Sequence, residues 1–161
     1  MERTQFNDAV HRYQDMVYRI ALHHHANPAD AEDAVQEVFL RLFTREKGFE
    51  SGEHLRRWLI RVTVNVCRDT LKSAWRRNVP LDSVGELPAF EQPEQRELYQ
   101  AVMALPEQDR TVLDLFYYEE LTTKEIARLL HIRQTTVTTR LSRARERLKR
   151  QLKEAWQDDE S

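Results

Sequence analysis

The 161-residue sequence has few of the residues that interrupt helices, since it contains only three Gly and five Pro. Three of the five Pro fall between residues 79 and 95, so the remainder of the chain contains almost nothing that would break a helix. This composition predicts an all-α fold.

The sequence also has a single cysteine, Cys67, which excludes an internal disulfide and any cysteine-rich zinc site. We expect this small side chain in the core. No apolar run approaches the roughly 20 residues that span a bilayer, and the opening MERTQFNDAV lacks the apolar core of a signal peptide. We therefore expect a cytoplasmic protein with no membrane insertion.

Three segments each carry charge of almost only one sign, although the net charge of the whole chain is only −2. Residues 55–77 contain seven Lys or Arg and one Asp, and residues 133–150 contain seven Lys or Arg and one Glu. Residues 79–95 contain four acids and no base. This pattern predicts two small helical domains joined by an acidic linker. We place the domains at 1–78 and 95–155, the linker at 79–94 and a tail at 156–161.

Two amphipathic helices are predicted at the start of the first domain. Apolar residues recur every three or four positions from Phe6 to Ile20, which is the spacing of a helix docked on a core. Asn27 and Pro28 mark the start of the second helix. Its inward side is predicted to comprise Ala31, Ala34, Val35, Val38, Phe39, Leu42 and Phe43.

The other side of this second helix carries Asp33, Gln36, Glu37 and Leu40. Leu40 follows Asp33 by seven residues, nearly two helical turns, so we expect it to be exposed among acids. An apolar side chain surrounded by carboxylates is typical of a surface that binds a basic protein. A solvated face with one stray leucine explains the same spacing equally well.

A third helix is predicted over residues 55–77, after the polar loop TREKGFESG of residues 44–52. Its buried stripe comprises Leu55, Leu59, Val62 and Val66. The broad opposite face suits a phosphate backbone and carries Arg57, Arg61, Asn65, Arg68, Lys72 and Arg76. The Asn65 amide can pair with a base edge. Trp58 and Trp75 could stack on bases, but helical spacing favours the core for Trp58.

The second domain contains a predicted helix-turn-helix. A helix starts at Leu105 and Pro106, and Thr122 with Glu125 has the spacing of a capping box at the start of the next helix. A short turn at residues 131–132 precedes a final helix, docked by Val137, Leu141, Ala144 and Leu148. In such a motif the second helix enters the major groove of DNA, and its N-terminal half reaches the bases.

The outward residues of the final helix divide into two groups. Base reading is assigned to Thr138, Thr139, Ser142 and Arg143. Phosphate contact or packing on the backbone is assigned to Arg140, Arg145, Arg147 and Lys149. A solvated helix, or one that binds acidic lipid, is the alternative, but the capped partner helix and the tight turn favour DNA.

Three adjacent histidines, His23 to His25, raise the question of a metal site. Successive helical side chains point about 100° apart, so three neighbours cannot converge on one ion, and we expect no metal and no cofactor. The sequence has no Gly-rich phosphate loop, nucleophile elbow or metal-spaced ligand set. A helical hydrolase that uses these histidines is therefore the weaker alternative.

In this order, the segments resemble the extracytoplasmic-function (group 4) sigma factors of bacterial RNA polymerase. DAEDAVQEVFLRLF is similar to the family's segment that docks on the clamp coiled coil of the β′ subunit. LRRWLIRVTVNVCRDTLKSAWRR is similar to the region that opens and reads the minus-ten promoter element. LPEQDRTVL and LTTKEIARLLHIRQTTVTTRLSRARERL are similar to region four, which reads the minus-thirty-five element.

The resemblance implies a transcription initiation factor without catalytic activity. Its implied partners are core RNA polymerase, through the β′ clamp coiled coil and the β flap, promoter DNA and an anti-sigma factor. It also implies that Asn65 contacts the non-template strand, and that the TREKGFESG loop with Phe49 encloses a base flipped out of the duplex. A stand-alone helix-turn-helix regulator is the alternative; it would need a dimer surface and would leave the Leu40 face unexplained.

Two sites depart from the family pattern. The family often has Gly where this chain has His131, so we expect a positive φ and some strain at that turn. It often has Lys or Arg followed by Ser where this chain has Thr138 and Thr139, so the promoter preference cannot be carried over from the family.

Overall fold

The structure is a computed structural model of the chain. It describes the backbone of residues 1–25, 27–77 and 93–159, and the side chains of residues 1–25, 27–69 and 96–153. Outside these ranges lie the side chains of Lys72, Trp75 and Arg76, residues 79–92 of the predicted linker and the side chains of the predicted tail at 156–161.

The regular structure of the described residues consists of helices. They are α1 (Arg3–His25), α2 (Pro28–Thr44), α3 (Gly52–Arg77), α4 (Pro93–Met103), α5 (Glu107–Tyr117), α6 (Thr123–Leu130) and α7 (Gln134–Asp159). They belong to two compact units, Met1–Glu86 and Leu87–Ser161. The prediction of an all-α protein with two small helical domains is confirmed. α4 was not predicted, because Pro93 falls in the predicted linker, although proline suits the first turn of a helix.

In the first unit, α1, α2 and α3 pack against one another. The Asn27 side-chain oxygen accepts a hydrogen bond from the Ala29 N–H at 2.9 Å, and Pro28 occupies the first turn, so α2 starts as predicted. The largest fully buried side chains of this unit are Val17, Ile20, Val38, Leu42, Leu59, Ile60 and Val64. Cys67 is buried as expected.

Burial on α3 is wider than the predicted stripe. Ile60, Thr63 and Val64 are buried in addition to the predicted residues, because α1 and α2 both cover this helix. The Thr63 hydroxyl is satisfied inside the core by donating to the Leu59 carbonyl at 2.6 Å. Leu55, the first residue of the predicted stripe, is only half-buried.

In the second unit, α7 packs against α4, α5 and α6, and α5 also contacts α6. The predicted apolar side of α7 is buried at Val137, Leu141 and Ala144, whereas Leu148 is half-buried. The helices beneath contribute Val112, Leu115, Ile126, Ala127 and Leu130 to the same core. The outward face of α7 is thereby fixed, because its inward face is committed to three neighbours.

Within residues 1–25, 27–77 and 93–159, no helix combines the length and hydrophobicity that a membrane span requires.

Candidate nucleic-acid interface

The surface of α2 has the exposed leucine that the sequence predicts. Leu40 is 57% exposed, and Asp33 and Gln36 are exposed on the same side of the helix. Glu37 is half-buried, and its carboxylate accepts a hydrogen bond from the Arg41 Nε–H at 3.1 Å. The ion pair with Arg41 partly neutralises the charge of Glu37, so Asp33 is the one unpaired acid among the four predicted members of this surface, all of which the structure describes.

Phe43 departs from the sequence analysis, which placed it on the inward side of α2. It is 55% exposed and meets the ring of Phe6 edge-on, with centroids 5.2 Å apart. It lies in the last turn of α2, where Phe6 near the start of α1 covers it only partly. Because residues three apart are neighbours on a helix, Phe43 extends the apolar patch that Leu40 begins.

The basic face of α3 presents Arg57, Arg61 and Asn65 to solvent, and Arg68 is half-buried. Their spacing of four, four and three residues aligns them along one side of the helix. Arg57 Nε also donates to the Glu53 carboxylate at 3.1 Å, which leaves Arg61 and Asn65 as the exposed centre of the face. Lys72 and Arg76 were predicted to continue it, but their side chains lie outside the described residues.

The loop between α2 and α3 is built around an arginine and two aromatic rings. The Arg45 guanidinium lies 4.4 Å from the ring centroid of Phe49 and 5.1 Å from that of Trp58. Phe49 meets Trp58 edge-on at 5.5 Å and His54 edge-on at 5.2 Å. Trp58 is buried, in agreement with the core position that was favoured for it. Phe49 lies in a loop that the sequence indicates only as polar, and the structure places it in this stack.

Hydrogen bonds hold the backbone of the same loop. The Glu50 N–H donates to His54 Nδ1 at 3.1 Å, which requires an unprotonated Nδ1. Ser51 Oγ accepts from the His54 N–H at 3.1 Å at the start of α3, and Arg45 Nε–H donates to the Lys47 carbonyl at 2.9 Å. The loop therefore has a defined shape before any ligand is bound.

The second unit contains the predicted helix-turn-helix. Thr122 and Glu125 form the capping box, with both bonds at 3.1 Å. His131 adopts the left-handed conformation at φ 57° and ψ 44°, which confirms the positive φ expected there. Its N–H donates to the Ala127 and Arg128 carbonyls, which caps the C-terminal end of α6 before the chain turns into α7.

The first turns of α7 combine one anchored residue with several exposed hydroxyls. The Gln134 side chain donates to the Thr123 hydroxyl at 2.9 Å and ties the start of α7 to the start of α6. The hydroxyls of Thr138 and Thr139 donate to the Thr135 carbonyl at 2.9 and 2.8 Å. Both threonines and Ser142 are exposed, so their oxygen lone pairs are available to an outside donor.

Arg143 binds a buried carboxylate of the same unit, a contact that was not predicted from the sequence. Its Nε–H and Nη2–H donate to the two carboxylate oxygens of Asp109 at 3.1 and 2.8 Å. This hydrogen bonding and the charge of Asp109 raise the pKa of Arg143 above its ordinary value. Arg147 Nη1 lies 3.7 Å from the same carboxylate. A guanidinium whose fork already holds a carboxylate cannot offer that fork to guanine, so the base-reading assignment of Arg143 does not fit this geometry.

The other predicted cations of α7 differ in how freely they project. Arg145 Nε–H donates to the Tyr117 hydroxyl, and its guanidinium lies 5.4 Å from the Tyr117 ring centroid and 5.5 Å from that of Phe116. Arg140 is half-buried, whereas Lys149 is exposed. Arg145 therefore packs on α5, a contact that was not predicted from the sequence.

Two anchoring residues, Arg45 and Asp109, were missed by the sequence analysis. Asp109 has the sequence signal of an ordinary acid in the first turn of α5, and nothing local shows that it is buried. Its partner Arg143 is 34 positions away, so the pair becomes visible only in the folded chain. In the part of the chain that the structure describes, no group of three or more His, Cys, Asp or Glu could hold a metal ion.

Comparison with protein families divides the chain as its helices do. Residues 9–77 match the model of sigma-70 region 2, and residues 95–148 match that of sigma-70 region 4. The chain is 30% identical over 155 residues to the RNA polymerase sigma-E factor of Streptomyces coelicolor, covering 94% of this chain and 88% of that protein. It is 29% identical over 171 residues to the ECF RNA polymerase sigma factor SigW of Bacillus subtilis, covering 95% and 91%.

A solved structure has a similar fold. The sigma factor RpoE of Bartonella quintana, crystallised in complex with the anti-sigma factor NepR, aligns with a TM-score of 0.78 at 22% sequence identity. The alignment covers 92% of this chain and 97% of that one. At this identity the likeness concerns the fold.

Proposed function

The chain belongs to the extracytoplasmic-function sigma factors of bacterial RNA polymerase, and we propose that it binds the core enzyme, directs it to promoters and assists in opening the duplex. The observation that carries this proposal is the presence of both sigma regions in one chain, each matching one helical unit. A stand-alone regulator would need only the helix-turn-helix, so the first unit argues against it. Catalysis belongs to the polymerase, and the chain acts in the cytoplasm as a specificity factor.

The core-binding surface is assigned to Asp33, Gln36, Glu37 and Leu40, with Phe43 at its edge. Leu40 supplies apolar area that a partner can bury, and the neighbouring polar groups orient that partner. In the family this segment docks on the β′ clamp coiled coil. The β flap is the partner assigned to the second unit.

Leu40→Ala tests this surface directly. Removing an exposed side chain that becomes buried on binding should weaken association with core polymerase by about 1–2 kcal/mol and leave the free energy of unfolding nearly unchanged. Leu98→Ala is the matched control, since Leu98 is a similarly exposed leucine on α4 in the other unit. Titration of labelled protein with core enzyme would measure both. Wild-type affinity in Leu40→Ala would argue against the assignment, and any loss in Leu98→Ala would report on the contact of the second unit instead.

The minus-ten element is assigned to the exposed face of α3 and to the loop that precedes it. Arg57, Arg61 and the half-buried Arg68 contact phosphates, while Asn65 meets a base edge of the non-template strand. Lys72 and Arg76, whose side chains lie outside the described residues, are assigned to phosphates from the sequence alone. Phe49 and its loop enclose a base that has left the stack. Flipping a base costs a few kcal/mol, and a loop already held in shape avoids an added ordering cost when it receives that base.

The minus-thirty-five element is assigned to the exposed N-terminal face of α7. Thr138 and Thr139 offer hydroxyl oxygens and methyl groups, and Ser142 offers a hydroxyl. With their protons directed to the Thr135 carbonyl, the threonine oxygens act as acceptors. In the major groove, acceptors suit the amino groups of adenine and cytosine, and methyl groups suit thymine. Arg140 and Arg147 contact the phosphate backbone around these positions.

An anti-sigma factor is a further proposed partner, since a sigma factor of the same fold was crystallised with one. The test of the whole proposal is reconstitution. Purified protein is mixed with bacterial core polymerase and a promoter library, and run-off transcripts are sequenced. Transcripts are expected only from those promoters that share two spaced upstream elements. None should form with core enzyme alone. Transcription no different from that of core enzyme alone would refute the proposal.

A further inference from the structure

A buried carboxylate lies directly beneath the recognition helix. The Asp109 side chain, in the first turn of α5, is 0% exposed, whereas those of Arg143 and Arg147 on α7 are 45% and 43% exposed. Asp109 holds Arg143 through two hydrogen bonds at 2.8 and 3.1 Å and has Arg147 at 3.7 Å. One acid removed from water thus faces two cations that remain partly in water.

Burial makes this arrangement directional. An ionised carboxylate is costly to remove from water unless it is paired and hydrogen-bonded, so Asp109 keeps Arg143 close to it. The two parallel bonds of an arginine fork also fix the angle between the partners. Because Asp109 is on α5 and Arg143 is on α7, the pair constrains how far α7 can rotate about its own axis.

The position of the pair along α7 separates it from two of the three base-reading residues, Thr138 and Thr139. Arg143 follows Gln134 by nine residues, which is about 13 Å along the helix axis. Thr138 and Thr139 lie about one turn from the start, where a recognition helix meets base edges. The contact with Asp109 therefore lies further along α7 than the two threonines and directly after Ser142, where it can orient all three without touching DNA.

We propose that Asp109 is a positioning and specificity-determining residue, which adds to the apolar packing of α7 by restraining its rotation through Arg143 and which withholds the charge of Arg143 from DNA phosphates. This inference rests on the proposed function, in which α7 reads the promoter. An unrestrained arginine binds phosphates of any sequence, so restraint lowers affinity for random DNA and favours discrimination. Asp109 thus lowers the affinity for DNA of any sequence and increases the preference for the promoter sequence.

The test uses holoenzyme reconstituted from the full chain and bacterial core polymerase. The probe is a duplex promoter library randomised across the minus-thirty-five element, together with one random-sequence duplex. Asp109→Asn should flatten the preference about tenfold at several positions, since each good base contact discriminates by about 5- to 150-fold. It should also tighten binding to the random duplex and steepen the slope of log affinity against log salt by about 1.

Glu146→Gln is the matched control for charge. It removes one acid from the exposed side of α7, where Glu146 pairs with Arg150 at 3.5 Å, and changes the net charge by the same amount. It should keep the wild-type preference. A wild-type preference and salt slope in Asp109→Asn would overturn the proposal. So would a uniform loss of affinity for every sequence with lower thermal stability, because that result describes a purely structural residue.

Arg143→Gln provides a second route through the exposed partner of the pair, and the glutamine amide can still donate one hydrogen bond to Asp109. If Arg143 positions the helix, preference should flatten at several bases, and the double variant with Asp109→Asn should be no flatter than the worse single variant. A change confined to one base would show direct reading by Arg143 and overturn the inference. This result decides the matter if Asp109→Asn does not fold. A wild-type holoenzyme without any minus-thirty-five preference would refute the proposed function itself, and the inference with it.

Discussion

The loop of the first unit and the recognition helix of the second are each held by an arginine, but the two arginines have different partners. Arg45 lies over the rings of Phe49 and Trp58, whereas Arg143 binds both oxygens of Asp109. A guanidinium over a ring is attracted to a broad face and tolerates sliding, while a bidentate pair with a carboxylate fixes direction.

This difference suits the roles proposed for the two surfaces. A loop that receives an unstacked base must let its side chains adjust to the base's position. The aromatic stack permits that adjustment, while the hydrogen bonds of Arg45 and His54 hold the backbone in shape. A helix in the major groove must present a fixed set of atoms, because small rotations move every side chain off its base. The compliant anchor is therefore found at the loop, and the rigid anchor is found at the helix.

The largest expected effect comes from removing the ring on which the loop is built. Trp58→Ala should lower the free energy of unfolding of the first unit by about 3–5 kcal/mol, since a large buried side chain leaves a cavity. Trp58→Phe retains an aromatic surface for Arg45 and should lose clearly less. Urea denaturation followed by circular dichroism measures both variants. Equal losses would mean that the aromatic contact with Arg45 contributes little.

Two lysine substitutions test the contrast between the arginines. Arg143→Lys cannot form a bidentate pair and should reduce minus-thirty-five discrimination by about 1–2 kcal/mol. Arg45→Lys retains a cation above the rings and should change promoter opening by about 0.5 kcal/mol or less. Binding selections and permanganate footprinting measure the two effects. If Arg45→Lys were the more damaging variant, the loop would be the rigid element, and the comparison would be reversed.

A smaller effect is expected at the hydrogen bond that closes the loop. His54→Ala removes the acceptor for the Glu50 N–H and should weaken open-complex formation by about 1 kcal/mol, with little change in closed-complex binding. His54→Asn should restore much of this loss, because its amide oxygen can occupy the place of Nδ1. Permanganate reactivity on duplex and pre-melted bubble templates gives the measurement. A bubble should rescue His54→Ala. An equal defect on both templates would indicate a role other than strand opening.

The sequence predicted those features that depend on local spacing. The capping box of Thr122 and Glu125, the start of α2 at Asn27 and the exposure of Leu40 follow from residues within two helical turns of one another. The buried side of α7 followed from its periodicity in the same way. These predictions needed only the geometry of a single helix.

The features that the sequence did not predict depend on contacts between elements. The pairing of Asp109 with Arg143 joins residues that periodicity places on separate helices. In the sequence, each of the two residues has the pattern of an ordinary surface charge. The stacking of Arg45 on Phe49 and Trp58 depends on the path of the loop, which composition describes only as polar. Phe43 has the inward spacing of a core residue, but Phe6 near the start of α1 covers it only partly.

The smallest expected effect concerns the turn that leads into α7. His131 holds the left-handed conformation, where a side chain with a Cβ atom is strained and glycine is not. His131→Gly should raise the free energy of unfolding of the second unit by about 0.5 kcal/mol, since relief of strain is partly offset by the greater freedom of glycine when unfolded. His131→Val should lower it by about 1–2 kcal/mol, because a β-branched side chain fits this conformation worst.

Chemical denaturation of the two His131 variants beside the wild type measures both shifts. Base preference should not change in His131→Gly, because the rotation of α7 is set by Asp109 and by the bond between Gln134 and Thr123 rather than by the turn. A flattened preference in His131→Gly would show that the stiffness of the turn also orients the helix. The rigid anchor of the second unit would then be shared between an ion pair and a strained backbone, unlike the loop of the first unit.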